Sequence, residues 1–240
     1  MRSTGIDPIE QQHTRVLAIR HGETSWNVDT RIQGQLDIPL NDTGRWQARQ
    51  VALALADERI DAIYSSDLLR AYQTAQAVAS RGSAGGGESN RCVTTDVGLR
   101  ERSFGVFEGL TYQEIQQRWP EQGERWRRRD PDFGAEGGET LRDFYARCVG
   151  TATRLAAAHP GQNIALIAHG GVMDCLYRAA LGVALDAPRS WRLGNASINR
   201  VLYSPQGFTL VGWSDTQHLE GGCQDSPLDE GSDGIRTRAT

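Results

Sequence analysis

Val16-Leu17-Ala18-Ile19-Arg20-His21-Gly22 is an apolar run that stops abruptly on a charged residue, a titratable residue and a glycine. An unbroken run of apolar residues suits a strand buried on both faces, and the glycine marks the turn out of it. The arrangement recurs at Ile164-Ala165-Leu166-Ile167-Ala168-His169-Gly170-Gly171, and in shorter form at Ala62 to Ser65, with Arg70 soon after. Val93 to Thr95 reads as a further short strand, and Ser197 to Tyr203 with Phe208 to Trp213 as a pair around the Pro205-Gln206-Gly207 turn.

Helical patterns lie between these strands. Asn41 or Asp42 can cap a helix from about Gly44 to Glu58, with Ala48, Val51, Leu53 and Leu55 read as one face. Leu68 to Ser80, Thr111 to Trp119, Glu139 to His159 and the segment from Gly171 to Leu181 read as four more, with Pro120 and Pro160-Gly161 as stops. Strands alternating with helices predict an α/β fold, a three-layer α/β/α sandwich with a mostly parallel central sheet. The polar, Arg-rich and Gly-rich stretch from Glu121 to Gly138 reads as a surface excursion, part of a small helical and loop lid insertion at about 105–140. Residues 1–14 are expected to be a flexible N-terminus, 15–213 a single domain and 214–240 a disordered tail, with a further flexible loop at Gly82 to Asn90.

Composition narrows the chemistry. The 240-residue chain has a net charge of −4, too mild for broad attraction to nucleic acid or an anionic membrane. No apolar run approaches the about 20 residues of a membrane span, and no secretory signal is evident, so a cytoplasmic protein is expected. Cys92, Cys148, Cys175 and Cys223 lack metal-ligand spacing, and no HExxH or acidic cluster appears, so neither metal nor cofactor is expected. All 26 basic residues are arginine. A chain without lysine has no Walker A lysine, no Schiff-base lysine and no pyridoxal phosphate anchor. Any phosphate must then be held by Arg, His, hydroxyls and backbone N–H groups.

In a parallel sheet, ligands sit beyond the carboxyl ends of the strands. Arg20, His21, Arg70 and His169 all fall there. Guanidinium groups match the peripheral oxygens of a phosphoryl group, and a neutral imidazole is a competent nucleophile toward phosphorus. Nearby arginines would keep such an imidazole neutral, and Glu101 is a candidate proton donor for the leaving oxygen. Residue chemistry alone leaves open which of His21 and His169 is attacked.

Arg20-His21-Gly22-Glu23-Thr24 followed by Trp26-Asn27 resembles the signature of the histidine phosphatase, or phosphoglycerate-mutase-like, superfamily. The resemblance continues through Arg31-Ile32-Gln33-Gly34, Asp37-Ile38-Pro39-Leu40, Tyr64 to Ala71, Leu99-Arg100-Glu101 and Ala168-His169-Gly170-Gly171, in family order over about residues 15–213. It implies that His21 is the phosphorylated nucleophile, Arg20 and Arg70 the phosphate clamps, His169 a further pocket wall and Glu101 the acid and base. It also implies a substrate-binding set of Gly22, Glu23, Thr24, Asn27, Gln33, Gly34 and Gly170. Arg127 or Arg128, in a lid like that of the family's mutases, would reach a second anionic group.

Family members either hydrolyse phosphate esters or move the phosphoryl group within a sugar acid. Gly171, where mutases carry asparagine, and the missing lysine favour a phosphatase, related to the α-ribazole phosphatase branch through Gly137-Gly138-Glu139-Thr140. The Arg125 to Arg129 cluster leans toward a 2,3-bisphosphoglycerate-dependent mutase, and a catalytically silent phosphate-ester-binding module is the third reading. The expected partner is a small-molecule phosphate ester, with no nucleic acid and no membrane, and with a homodimer left open.

Overall fold

The computed structural model describes residues 13–80 and 91–220. The expected flexible loop at 82–90 lies outside them, as do nearly all of the expected N-terminal segment and residues 221–240. In chain order the elements are β1 (Thr14–Arg20), α1 (Ser25–Val28), α2 (Asp42–Ala54), β2 (Ala62–Ser65), α3 (Leu69–Ser80) and β3 (Val93–Thr95). There follow α4 (Tyr112–Arg118), α5 (Pro120–Arg127), α6 (Leu141–Ala157), β4 (Asn163–Ala168), α7 (Gly170–Leu181), β5 (Ile198–Ser204) and β6 (Gly207–Asp215).

The six strands form one sheet in the order β3-β2-β4-β1-β5-β6. β3, β2, β4 and β1 run parallel, and β5 and β6 complete the sheet antiparallel. Side chains alternate across a strand, so each strand feeds two cores. Val16, Ala18, Ile164 and Leu166 point to one face and pack with Phe144 and Leu155 of α6 and Met173 and Leu176 of α7. Leu17, Ile19, Ala165 and Ile167 point to the other, against Val51 of α2 and Ala75 and Val78 of α3. These two cores give the expected three layers.

Two expectations need correction. The stretch after Pro120 is not mere surface excursion. Proline closes α4 and also opens α5, where its missing N–H costs nothing in the first turn. Trp126 of α5 and Phe133 are buried with Phe104, Phe107, Ile115 and Ile32 in a third, separate core. Nor is the chain irregular from residue 214: β6 continues to Asp215, a one-turn helix spans Gln217–Leu219, and Leu219 packs on the α2–α3 face.

Local backbone packing positions the end of β1. The loop after His21 passes so close to the start of α2 that a β-carbon on Gly22 would lie 2.4 Å from the Gly44 carbonyl oxygen. One on Gly44 would lie 2.0 Å from the Glu23 carbonyl oxygen. Two glycines are needed for this backbone-to-backbone contact. Gly44→Ala should lower the unfolding free energy by about 1–3 kcal/mol, the usual cost of overpacking. Urea denaturation checks this, and an unchanged midpoint would mean that the contact is not made in solution.

Candidate active site

The parallel register of β1 and β4 pairs Arg20 with Ala168, so the residues that follow, His21 and His169, emerge side by side. The His21 N–H donates to the Ala168 carbonyl at 3.0 Å, and the two ring centroids are 5.2 Å apart. Both side chains are buried, His169 completely.

The tautomer of His21 follows from its partner. Nδ1 lies 2.6 Å from the Gly22 carbonyl oxygen, which can only accept, so Nδ1 carries the proton and Nε2 holds the lone pair. Burial, then Arg70 and Arg20, hold the His21 pKa well below 6.5 against the opposing pull of the Gly22 carbonyl. Burial, with Arg70, His21 and Arg20, does the same to His169. Neither ring nitrogen of His169 has a hydrogen-bond partner among the described residues. Leaving a buried polar group unsatisfied costs about 1–3 kcal/mol, a penalty that a hydrogen-bonding ligand would remove.

Two buried arginines face the histidines. Arg70 donates through Nη1 to the Leu36 carbonyl at 2.8 Å and through Nη2 to the Gly34 carbonyl at 2.7 Å. Its Nε has no hydrogen-bond partner among the described residues. Burial lowers the Arg70 pKa to about 10, which still leaves it cationic at neutral pH. Arg20 donates to the Leu193 carbonyl, and its guanidinium lies beside Gly170.

Glu101 completes the set. Its Oε1 accepts from the Arg102 N–H at 2.8 Å and its Oε2 from the Gly171 N–H at 3.0 Å. Burial nevertheless raises its pKa above 4.5, with those N–H groups and the arginines opposing. Gly171 is spatially required: a β-carbon there would lie 2.3 Å from Glu101 Oε1 and 2.9 Å from the Phe144 ring.

A cavity opens onto these groups, lined by Arg20, His21, Arg70, Glu101 and Gly170 together with Asn27, Gln33 and Gly34. Asn27 Oδ1 accepts from the Thr24 backbone and hydroxyl and from Asn195, which leaves its amide donors as what it can offer a ligand. Gln33 Oε1 is buried without a partner among the described residues. Gly34 sits at φ +52°, and a β-carbon would meet Glu108 Oε1 at 2.1 Å.

The remaining expected binding residues are elsewhere. Gly22 holds His21 through its carbonyl. Glu23 is buried under the loop, where its Oε1 accepts from Asn41 and its backbone N–H donates to Gln47. Thr24 is the buried N-cap of α1, in a capping box with Asn27. These two shape the wall without lining it. Arg127 and Arg128 both turn back onto Glu124, at 2.6 Å each, and do not line the cavity. The pairing follows from their spacing, three and four residues after Glu124 on one helical face.

Sequence reasoning also passed over residues that the fold brings in. Arg31 lines the entrance and pairs with Glu114 at 3.1 Å. Arg147 of α6 grips Glu139 with two 2.7 Å bonds and donates to the carbonyls of Gly98, Arg100 and Glu101, fixing the backbone that carries Glu101. Asn195 donates to the His21 carbonyl at 3.1 Å. The quoted Arg31-Ile32-Gln33-Gly34 block pointed to the first. The other two depend on contacts between segments far apart in the chain.

A family model of the histidine phosphatase superfamily, branch 1, matches residues 16–216. The chain belongs to that superfamily. It is 39% identical over 224 residues to phosphoglycerate mutase-like protein 4 of Arabidopsis thaliana, covering 92% of this chain and 93% of the relative. It is 33% identical to the metal-independent phosphoserine phosphatase of the same plant, over 88% of this chain and 85% of the relative. Among solved structures, a mycobacterial glucosyl-3-phosphoglycerate phosphatase with VO3 superposes with a TM-score of 0.72 at 33% identity, over 84% of this chain and 99% of that one. Among the described residues, no helix is long and apolar enough to cross a membrane.

The two neutral imidazoles link the site to stability. In the unfolded chain each takes up a proton near pH 6.5, while the fold resists protonating either. Below that pH the unfolded state binds more protons, so stability falls as the pH falls. The loss is at most about 1.4 kcal/mol per pH unit for each histidine. Half-buried His218, also lowered, adds in the same direction. Glu101 offsets part of the loss, because its raised pKa costs stability as the pH rises through its folded value. Urea unfolding at pH 7.0 and 5.5 should show lower stability at 5.5, and equal stability would contradict the burial of both imidazoles as neutral groups.

Proposed function

We propose that the chain is a phosphomonoester hydrolase acting on a small-molecule ester through a phosphohistidine on His21. The observation that carries this reading is the meeting, in one cavity, of a neutral imidazole with its lone pair on Nε2 and a carboxyl pushed toward its protonated form. Two buried guanidinium groups supply positive charge for the phosphoryl oxygens in surroundings that water screens poorly.

The chemistry runs in two displacements. His21 Nε2 attacks phosphorus, the bond to the ester oxygen breaks, and the Glu101 carboxyl gives its proton to the departing oxygen. The Glu101 carboxylate then takes a proton from water as that water attacks phosphorus. The nitrogen–phosphorus bond breaks, inorganic phosphate leaves, and Glu101 is again protonated. Arg20, Arg70 and His169 hold the phosphoryl oxygens through both steps. Asn27, Gln33 and Gly34 border the entrance. The cytoplasm suits the protein, whose free thiols include the neighbouring buried Cys148 and Cys175.

The mutase reading has support in the name of the plant mutase-like relative. The lid arginines that favoured it are occupied by Glu124, which weakens the case for a second anionic group at that place. Glycine at 171, where mutases of the family carry asparagine, supports hydrolysis.

Purified protein in EDTA should release inorganic phosphate from a panel of phosphate monoesters. Given 3-phosphoglycerate with 2,3-bisphosphoglycerate, it should form phosphate faster than 2-phosphoglycerate. Faster isomerisation would make it a mutase, and binding without either product would make it a silent module.

A further inference from the structure

A second compartment adjoins the first cavity at Glu101. It shares Glu101 and Phe104 with the first cavity, so the two meet along the residue proposed to protonate the leaving oxygen. A substituent carried by that oxygen therefore starts at the boundary between the two.

Its walls are chemically uneven. Phe104, Leu141 and Phe144 give it apolar surface, while Arg102, Arg129 and Asp174 give it charge. Asp174 is only 4% exposed, and its Oδ2 accepts from Arg129 Nη2 at 2.7 Å and from Arg178 Nε at 2.9 Å. Its Oδ1, equally buried, has no hydrogen-bond partner among the described residues. Arg178 is held in turn by the carbonyls of Ala184 and Ala187, so the carboxylate is fixed on one oxygen and open on the other. A buried acceptor of this kind calls for a donor from a ligand.

The charge around Asp174 selects the donor. One carboxylate already faces two guanidinium groups, with a third, Arg102, on the same compartment. An ammonium would enter beside cations with the compensating charge already engaged. A neutral hydroxyl meets no such repulsion, and the apolar surfaces suit the C–H faces of a hydroxylated carbon chain.

We propose that this compartment is the leaving-group site and that Asp174 accepts a hydroxyl hydrogen bond there, making the substrates phosphate esters of polyhydroxylated compounds. This assignment rests on the hydrolase reading, and it adds Asp174 as a specificity-determining residue.

The test is titration calorimetry on the His21→Ala protein, which cannot form the covalent intermediate, with D-sorbitol 6-phosphate, n-hexyl phosphate and 6-aminohexyl phosphate. The three share a six-carbon chain and differ in the donors that they carry. The sorbitol ester should bind at least about tenfold tighter than the other two, the size expected of a hydrogen bond to a charged group. Adding Asp174→Asn should erase that advantage. The amide must keep its carbonyl toward Arg129 and Arg178, and so places a donor where Oδ1 stood. An advantage that is missing, or that survives Asp174→Asn, would overturn the proposal, and tightest binding of the aminohexyl ester would overturn the hydroxyl class. If the double variant does not fold, kcat/KM of the unaltered chain for the same esters decides by the same tenfold criterion. If the unaltered chain hydrolyses none of them while the binding pattern holds, the hydrolase reading fails and only Asp174 as the residue that recognises a ligand hydroxyl stands.

Discussion

The pairing of β1 with β4 brings two imidazoles to the same end of the sheet, and the rest of the site is arranged around keeping them there without charge. His21 and His169 follow Arg20 and Ala168, which are in register, so the geometry is inherited from hydrogen bonding between two buried strands. Adjacent histidines between arginines would repel strongly if protonated. Burial and the arginine charges hold both neutral, and the Gly22 carbonyl fixes which nitrogen of His21 carries the proton. In the proposed reaction the positive charge for phosphate comes from Arg20 and Arg70, while the imidazoles keep lone pairs. There Arg20, Arg70 and His169 serve binding, and the His21 lone pair serves bond formation.

Glu101 obeys the opposite constraint. A carboxylate between arginines would ordinarily ionise readily, but burial outweighs them and pushes it toward the acid form. Its position is fixed by backbone donors from Arg102 and Gly171 and, through Arg147, by the backbone of its own segment. Glycine at 171 is the condition for this placement. The helices α4 and α5 carry a separate small core about Trp126 and Phe107, distinct from the two cores that flank the sheet.

Much of this was legible in the chain because the relevant signals are local. The apolar runs ending in Arg20-His21-Gly22 and in His169-Gly170-Gly171 announce buried strands with reactive residues at their ends, and helical periodicity between them announces the layers. What was not legible depends on contacts between distant segments. Trp126 is buried only because Phe104 and Phe107 come beneath it, so its polar neighbourhood read as surface. Glu23 and Thr24 belong to the family signature, yet they cap a turn and brace a loop, and a motif does not separate shaping from touching. The Arg127 and Arg128 expectation had a local remedy, since Glu124 stands one helical turn earlier. Asp174 had none: its partner Arg129 lies 45 residues away, and its open oxygen is a property of the folded packing.

The central claim is that His21 Nε2 forms a bond to phosphorus. The most direct measurement is rapid quenching into base during turnover of a phosphate ester, followed by mass spectrometry of the peptide that contains His21. The account predicts a phosphoryl group on His21 that is stable in base, is lost in acid and appears before steady-state phosphate release. Undiminished turnover with no phosphoryl group on His21 at any quench time, or with the label on His169 instead, would contradict it.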